Sequence, residues 1–192
     1  MGRLIYAMTT TLDGFVDDAG EATEPDRELH EHFNRMQERL VLDVYGRRMW
    51  ETMRYWQDPP AEDLEVPYVR EYTQAWQDTD RVVVSRTLTA LDAPRTTLWP
   101  ELDVDRLRAL VAEADGDVSV GGPTLAGAAL RAALRAGLVD EVSAYVGPRV
   151  AGAGSRRFVP EGLPLELRLR ETERFASGVV ALVYDVVGGG TR

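Results

Sequence analysis

The sequence contains no lysine and no cysteine, and only two histidines, His30 and His32. Without lysine there is no Schiff-base chemistry and no phosphate loop of the G-x-x-x-x-G-K type. Without cysteine there is no disulfide, no thiolate nucleophile and no zinc knuckle. The two histidines stand two apart in His30-Glu31-His32. Residues at that spacing point away from each other on a helix, and the helical zinc motif needs histidines at i and i+4, so no metal site is expected. No apolar run reaches membrane-spanning length, and the opening Met-Gly-Arg-Leu-Ile-Tyr carries no signal-peptide pattern, so a cytoplasmic location and no membrane partner are expected.

What is present is an acidic chain of 192 residues with a net charge of −10, whose 22 basic residues are all arginine. That balance argues against nucleic acid as a partner. Apolar content of 44 % and charged content of 28 % are those of a soluble globular protein, and the length is enough for one well-cored domain. The expected domain covers residues 1–187, with 188–192 a frayed glycine-rich tail.

Strands and helices alternate along the chain. Leu4 to Thr10 reads as a first strand, followed by the turn signature Thr11-Leu12-Asp13-Gly14 and a mobile loop at Asp17 to Gly20. From Asp26, Leu29, Phe33, Met36 and Leu40 recur at steps of four, three and four, the stripe of an amphipathic helix. Leu40 to Tyr45 is a second strand, and Arg47 opens the helix after it. Residues 57–68 read as an exposed connection, and Val69, Tyr72 and Trp76 mark a short helix. Arg81 to Ser85 is a third, buried strand. Asp103 caps a helix carrying Leu107, Leu110 and Val111. Near the C-terminus Leu165, Leu167 and Leu169 alternate with charges, and Gly178 to Val187 is almost continuous strand, so an antiparallel pair closing one sheet edge is expected. The aromatic residues Trp50, Trp56, Tyr72, Trp76 and Trp99 are expected mostly in the core, with one open to a site rim.

The stretch 117–148 organises the rest. Val118 and Val120 suit a short buried strand; Gly121 and Gly122 break it; Pro123-Thr124 opens a helix with Leu130, Leu134 and Leu138 at four-residue spacing. Gly137 stands where a left-handed cap belongs, and Val142, Ala144 and Val146 alternate as the next strand. Side-chain-free residues ahead of a helix leave backbone N–H groups open to an anion, and a β-branched residue at Gly122 would fill that space. The G-x-G-x-x-G fingerprint is not met, and a tight turn with no ligand explains two glycines equally well. In an α/β sheet, ligands sit outside the C-terminal ends of the strands. Three such exits carry glycine or polar residues: Gly46-Arg47-Arg48, Ser85-Arg86 and Gly121-Gly122. Two arginines at a helix start oppose its dipole, so stability explains them poorly, and guanidinium geometry suits phosphate. Ser85 reads either as a phosphate contact or as a turn cap.

Gly-Pro-Thr-Leu-Ala-Gly-Ala followed by Ala-Gly-Leu-Val-Asp-Glu-Val resembles the C-terminal reductase domain of riboflavin-biosynthesis deaminase/reductases, which belongs to the dihydrofolate reductase-like superfamily. The resemblance spans about residues 3–160 and is most specific at 121–148. It implies a three-layer α/β fold with a mostly parallel central sheet and antiparallel C-terminal edge strands. It also implies an NADPH-dependent reductase acting on a small-molecule substrate, a ribosylamino-pyrimidine phosphate or related heterocycle, and a homodimer. Gly46, Arg47 and Arg48 match the family's phosphate contacts, and Ser85 and Arg86 its 2′-phosphate region. Gly121, Gly122, Pro123, Thr124 and Leu125 match its pyrophosphate turn, and Ala7 and Val16 flank its nicotinamide. Leu12-Asp13-Gly14 is similar to a turn near the family's active site, and the proton route is expected through water or through Asp13 as the catalytic residue. Pro148, Gly152 and Gly154 are similar to a later family segment. Dihydrofolate reductase places a carboxylate on its first helix; counting back from Phe33, that position falls at Leu29, beside Glu28, His30 and Glu31. Dihydrofolate is therefore expected to be a poor substrate. The alternatives are a non-catalytic NADP-binding module and a reductase of unrelated substrate, dihydrofolate included.

Overall fold

A computed structural model describes residues 2–16, 25–122, 125, 137–154, 156–159, 161–162 and 164–187. The expected loop at Asp17 to Gly20, the helix opened by Pro123-Thr124 and the tail at 188–192 lie outside the described residues. Eight strands form one sheet: β1 Leu4–Thr10, β2 Leu40–Gly46, β3 Asp80–Val84, β4 Thr96–Trp99, β5 Asp117–Gly121, β6 Glu141–Val146, β7 Leu167–Arg174 and β8 Val180–Val186. Their order is β4-β3-β2-β5-β1-β6-β8-β7. The first six pair in parallel, and β8 joins antiparallel to both β6 and β7.

Period-two alternation sends neighbouring side chains to opposite faces. Leu4, Tyr6, Val44 and Val82 pack with Leu107 and Val111 of α4 (Val104–Glu113). Their neighbours Tyr45 and Val83 face the other way, packing with Trp50 of α2 (Arg47–Met53) and with Tyr72 and Trp76 of α3 (Pro67–Asp78). On the same side Leu29 of α1 (Arg27–Gln37) meets Tyr145, Phe175 and Val179. The result is helix, sheet and helix in three layers.

Local chemistry sets the helix ends. The Asp26 carboxylate accepts from the Leu29 N–H at 2.9 Å, and Asp103 accepts from Asp105 and Arg106, both at 3.0 Å. Each satisfies orphan donors of a first turn. Pro67 opens α3, where its missing N–H leaves nothing unpaired. Gly137 has φ +64°, the left-handed conformation expected of it. No helix among the described residues is long and apolar enough to cross a membrane.

Two parts of the chain depart from expectation. The strand β4 was not anticipated: four residues between Pro94 and Pro100 are too short to display a period. The connection 57–68 is not wholly irregular, since Asp63–Glu65 forms a 3-10 turn before Pro67 starts α3. The expected antiparallel C-terminal pair closes one sheet edge, and within it the apolar strand β8 is the inner strand. It lies between β6 and β7, and the edge strand β7 carries charge on its surface, so an unprotected apolar edge supplies no reason for dimerisation. Arg168 and Arg170 of that edge pair with Asp185 at 3.1 and 2.9 Å, and Arg3 bridges Glu141 and Asp185 at 3.2 and 3.0 Å.

Candidate active site

The parallel strands deliver the three glycine or polar exits to one end of the sheet. There a groove of about 470 Å³ brings together Gly46, Arg47, Arg48, Ser85, Arg86, Gly122 and Leu125. The first two exits extend adjoining strands, since β2 and β3 pair up to Gly46↔Val84. The third follows from β5, which pairs with β2 up to Tyr45↔Gly121. Gly122 has φ +97°, and a Cβ there would lie 3.0 Å from Met49 Cβ. Gly46 has an ordinary φ of −75°, yet a Cβ on it would lie 3.0 Å from Leu125 Cβ. Both glycines therefore keep the groove floor free of side chain. Gly121 is not in the groove lining; it ends β5 underneath, against Tyr45 and Met49. Pro123 and Thr124 lie outside the described residues.

The arginines of the groove differ. Arg47 donates to Glu51 Oε1 at 2.7 Å and to Thr87 Oγ1 at 3.0 Å. Arg48 and Arg86 are exposed and make no ion pair among the described residues. In a chain of net charge −10, these two guanidinium groups without an ion pair beside a side-chain-free turn concentrate positive charge at this end of the sheet. Ser85 is a turn cap: its Oγ accepts from the N–H groups of Thr87 and Leu88 at 3.2 and 3.1 Å.

A second cleft, of about 450 Å³, adjoins the groove, and Arg48, Met49 and Arg156 line both. Ala7 of β1 and Val16 form part of its wall, with Phe33, Met36, Met53 and Trp56. Tyr72 and Tyr145 close it; burial pushes both phenols well above their ordinary pKa. The groove is thus cationic and the cleft mostly apolar.

Leu29 does not face this cleft. It is 1 % exposed in the core with Tyr145 and Phe175, and α1 presents His30, Phe33 and Met36 to the cleft, of which His30 alone is titratable. The stripe traced from Leu29 through Phe33 marks the sheet-facing side. His30, three residues before Phe33, lies on its border, and that i, i+3 relation was the available signal. Met49 carried no comparable signal, because it reaches the site only through the fold, whereas Arg156 belongs to the later glycine-rich segment whose arginines, Arg149, Arg156 and Arg157, the sequence offers as anchors for a substrate's phosphate or hydroxyls.

Asp13 does not take the place expected of it. It lies outside the lining of groove and cleft, and it braces two segments. Thr11 Oγ1 and the Ala151 N–H donate to Oδ1 at 2.7 and 3.0 Å, and the Gly152 N–H donates to Oδ2 at 2.8 Å. The Thr11 hydroxyl first, then these backbone donors, hold its carboxyl down at about 2. A carboxylate so low is a poor proton donor near neutrality. A depressed carboxylate stabilises the fold above its unfolded pKa, near 4, and loses that effect as pH falls through the folded value. Asp13→Ala is therefore expected to lower Tm at pH 7, with the gap to the native chain closing between about pH 4 and pH 2. Thermal unfolding monitored by circular dichroism across that range checks it; a gap that widens in acid would refute the bracing role.

Among the described residues no three potential metal ligands come together. The family model for the RibD C-terminal domain matches residues 3–181. The chain belongs to that family, and its fold is the dihydrofolate reductase-like α/β fold. It is 26 % identical over 188 residues to the uncharacterized protein YyaP of Bacillus subtilis, covering 95 % of this chain and 94 % of that one. Two solved structures share the fold. A pyrimidine reductase-like protein of Corynebacterium diphtheriae superposes with a TM-score of 0.68 at 15 % identity, over 96 % of this chain and 92 % of that one. A diaminohydroxyphosphoribosylaminopyrimidine deaminase/5-amino-6-(5-phosphoribosylamino)uracil reductase of Thermotoga maritima gives 0.63 at 14 % identity, over 96 % of this chain and 56 % of its own.

Proposed function

We propose that the chain is an NADPH-dependent reductase that reduces a C=N or C=O bond of a phosphoribosylamino-pyrimidine or a related flat heterocycle. The observation that carries this reading is the junction of a cationic, side-chain-free groove with an apolar cleft through Arg48, Met49 and Arg156. A dinucleotide with charged phosphates at one end and a flat ring at the other matches that change of character. Gly46 and Gly122 would admit its phosphates, Arg48 and Arg86 would neutralise them, and Ala7 and Val16 would border its ring. When bound, the cofactor supplies the hydride. Family membership supports reductase chemistry, and the Thermotoga neighbour's name supplies the first substrate to try.

The test is the loss of NADPH absorbance with 5-amino-6-(5-phosphoribosylamino)uracil as oxidant. Tight NADPH binding without turnover of that compound or of related heterocycles would favour a non-catalytic binding module. Dihydrofolate is expected to be reduced about ten- to a hundredfold less efficiently. No carboxylate is among the described residues lining the cleft, and a lost charged hydrogen bond to a pterin ring costs on the order of 1.5–3 kcal/mol. Comparable kcat/KM for the two compounds would overturn the substrate assignment.

A further inference from the structure

Reduction of C=N or C=O by a hydride donor also consumes a proton, and few described groups of the cleft are able to give one. Arg48 and Arg156 stay charged at any working pH. The Tyr72 hydroxyl is directed at Gln37 Oε1, at 3.3 Å. The Tyr145 hydroxyl is engaged by His32 Nε2 at 3.0 Å and approaches Met36 Sδ at 3.5 Å. The threonine hydroxyls of Thr9 and Thr52 are too weakly acidic. His30 remains.

Its ring is held on three sides. Tyr68 and Tyr72 of α3 lie 4.9 and 5.7 Å from it, centroid to centroid, and Trp56 lies 6.0 Å away, edge-on. The Asn34 amide fixes the tautomer. Asn34 Nδ2 donates to the Tyr68 carbonyl at 2.9 Å and towards Glu71 Oε2 at 3.3 Å, so Oδ1 is the atom facing His30 Nδ1 at 3.1 Å. Nδ1 must therefore carry a hydrogen, and Nε2 is left with no hydrogen bond among the described residues. The charged groups nearest this arrangement are Glu71, behind Asn34, and Arg48, which shares the cleft.

We propose that His30, through Nε2, hydrogen-bonds the reducible nitrogen or oxygen of the substrate and delivers the proton that accompanies hydride transfer. The assignment rests on the reductase reading above. The substrate carbon gains the hydride supplied by the nicotinamide cofactor. As the C=N or C=O π bond becomes a lone pair on the heteroatom, that atom takes the proton from Nε2. The imidazolium N–H bond breaks, a new N–H or O–H bond forms, and His30 is left neutral to be reprotonated from solvent. Asn34 is a positioning residue, since it acts only through the ring.

Two measurements test this. Diethyl pyrocarbonate attacks the free imidazole lone pair and needs no substrate. His30 is expected to be carbethoxylated, whereas His32, with Nδ1 on Glu173 at 2.9 Å and Nε2 on Tyr145, is expected to be protected. Peptide mass spectrometry reads both sites, and an unmodified His30 overturns the proposal. The second measurement is the pH profile of NADPH oxidation with 5-amino-6-(5-phosphoribosylamino)uracil, native chain against His30→Gln. Glutamine keeps a donor near the Nε2 position and removes titration. The variant is expected to lose about 10²–10⁴-fold in kcat, to lose the alkaline limb of the profile and to bind NADPH within twofold of the native value. An alkaline limb retained in His30→Gln, or equal losses in NADPH affinity and kcat, would mean a structural imidazole and overturn the proposal. If the native chain modifies at His30 but does not reduce this compound, the substrate assignment falls, and the modification pattern still supports an Nε2 with no hydrogen-bond partner among the described residues.

Discussion

Arg86→Ala raises the dissociation constant for NADPH about tenfold and leaves that for NADH within twofold. The two cofactors differ by one phosphate, and Arg86 is an exposed cation at the β3 exit with no ion pair among the described residues. A charge-assisted hydrogen bond contributes about 1.5–3 kcal/mol, or ten- to a hundredfold in affinity. Solvent screening at an exposed guanidinium puts the expectation at the lower end. Arg47→Ala is expected to change affinity less than threefold, because Glu51 and Thr87 already hold that guanidinium. Raising the salt should weaken NADPH more than NADH in the native chain and equally in Arg86→Ala. Isothermal titration of both cofactors reads all of these. Equal losses for the two cofactors would remove Arg86 from the 2′-phosphate, and equal native affinities would sink the NADPH assignment.

Local patterning carried most of this fold. The strand over Leu4–Thr10, the capped helix after Asp103, and the glycine-ended strands at Gly46 and Gly121 were legible because period, cap and breaker coincide there. The sheet order was not legible, since β5 lies between β1 and β2 through pairings that join residues more than 70 apart. The position of β8 between β6 and β7 is a consequence of that order. The groove followed from a rule of placement: exits of parallel strands share one side of a sheet. The cleft wall did not, because which border of a helix faces solvent depends on what packs against it. For α1 that is α3, through Asn34 and Tyr68, and His30 comes to the opening for that reason. Asp13 misled in another way. A turn aspartate beside a site has the composition of a proton donor, and only its backbone partners, Ala151 and Gly152, some 140 residues along, show it as a brace.

The largest loss of stability is expected at Gly122→Val. A β-branched residue at φ +97° is strained, and its Cβ would press on Met49 Cβ at 3.0 Å. Left-handed backbone costs about 1–2 kcal/mol for an L-residue and overpacking about 1–3 kcal/mol, so a total near 2–5 kcal/mol is expected. For a chain of this size that corresponds to a fall in Tm of roughly 5–20 °C. Reduced NADPH binding by this variant would therefore not by itself reveal a ligand contact. Gly46→Ala separates the two roles. Its φ of −75° suits any residue, and the new methyl meets Leu125, its Cβ at 3.0 Å and its backbone N at 3.6 Å, while narrowing the same groove. It is expected to shift Tm by no more than about 3 °C, equivalent to about 1 kcal/mol, yet to weaken NADPH at least tenfold. Thermal unfolding and cofactor titration on both variants make the comparison. If Gly46→Ala binds NADPH as the native chain does while Gly122→Val melts early, the glycines serve the turn alone and the phosphates must lie elsewhere.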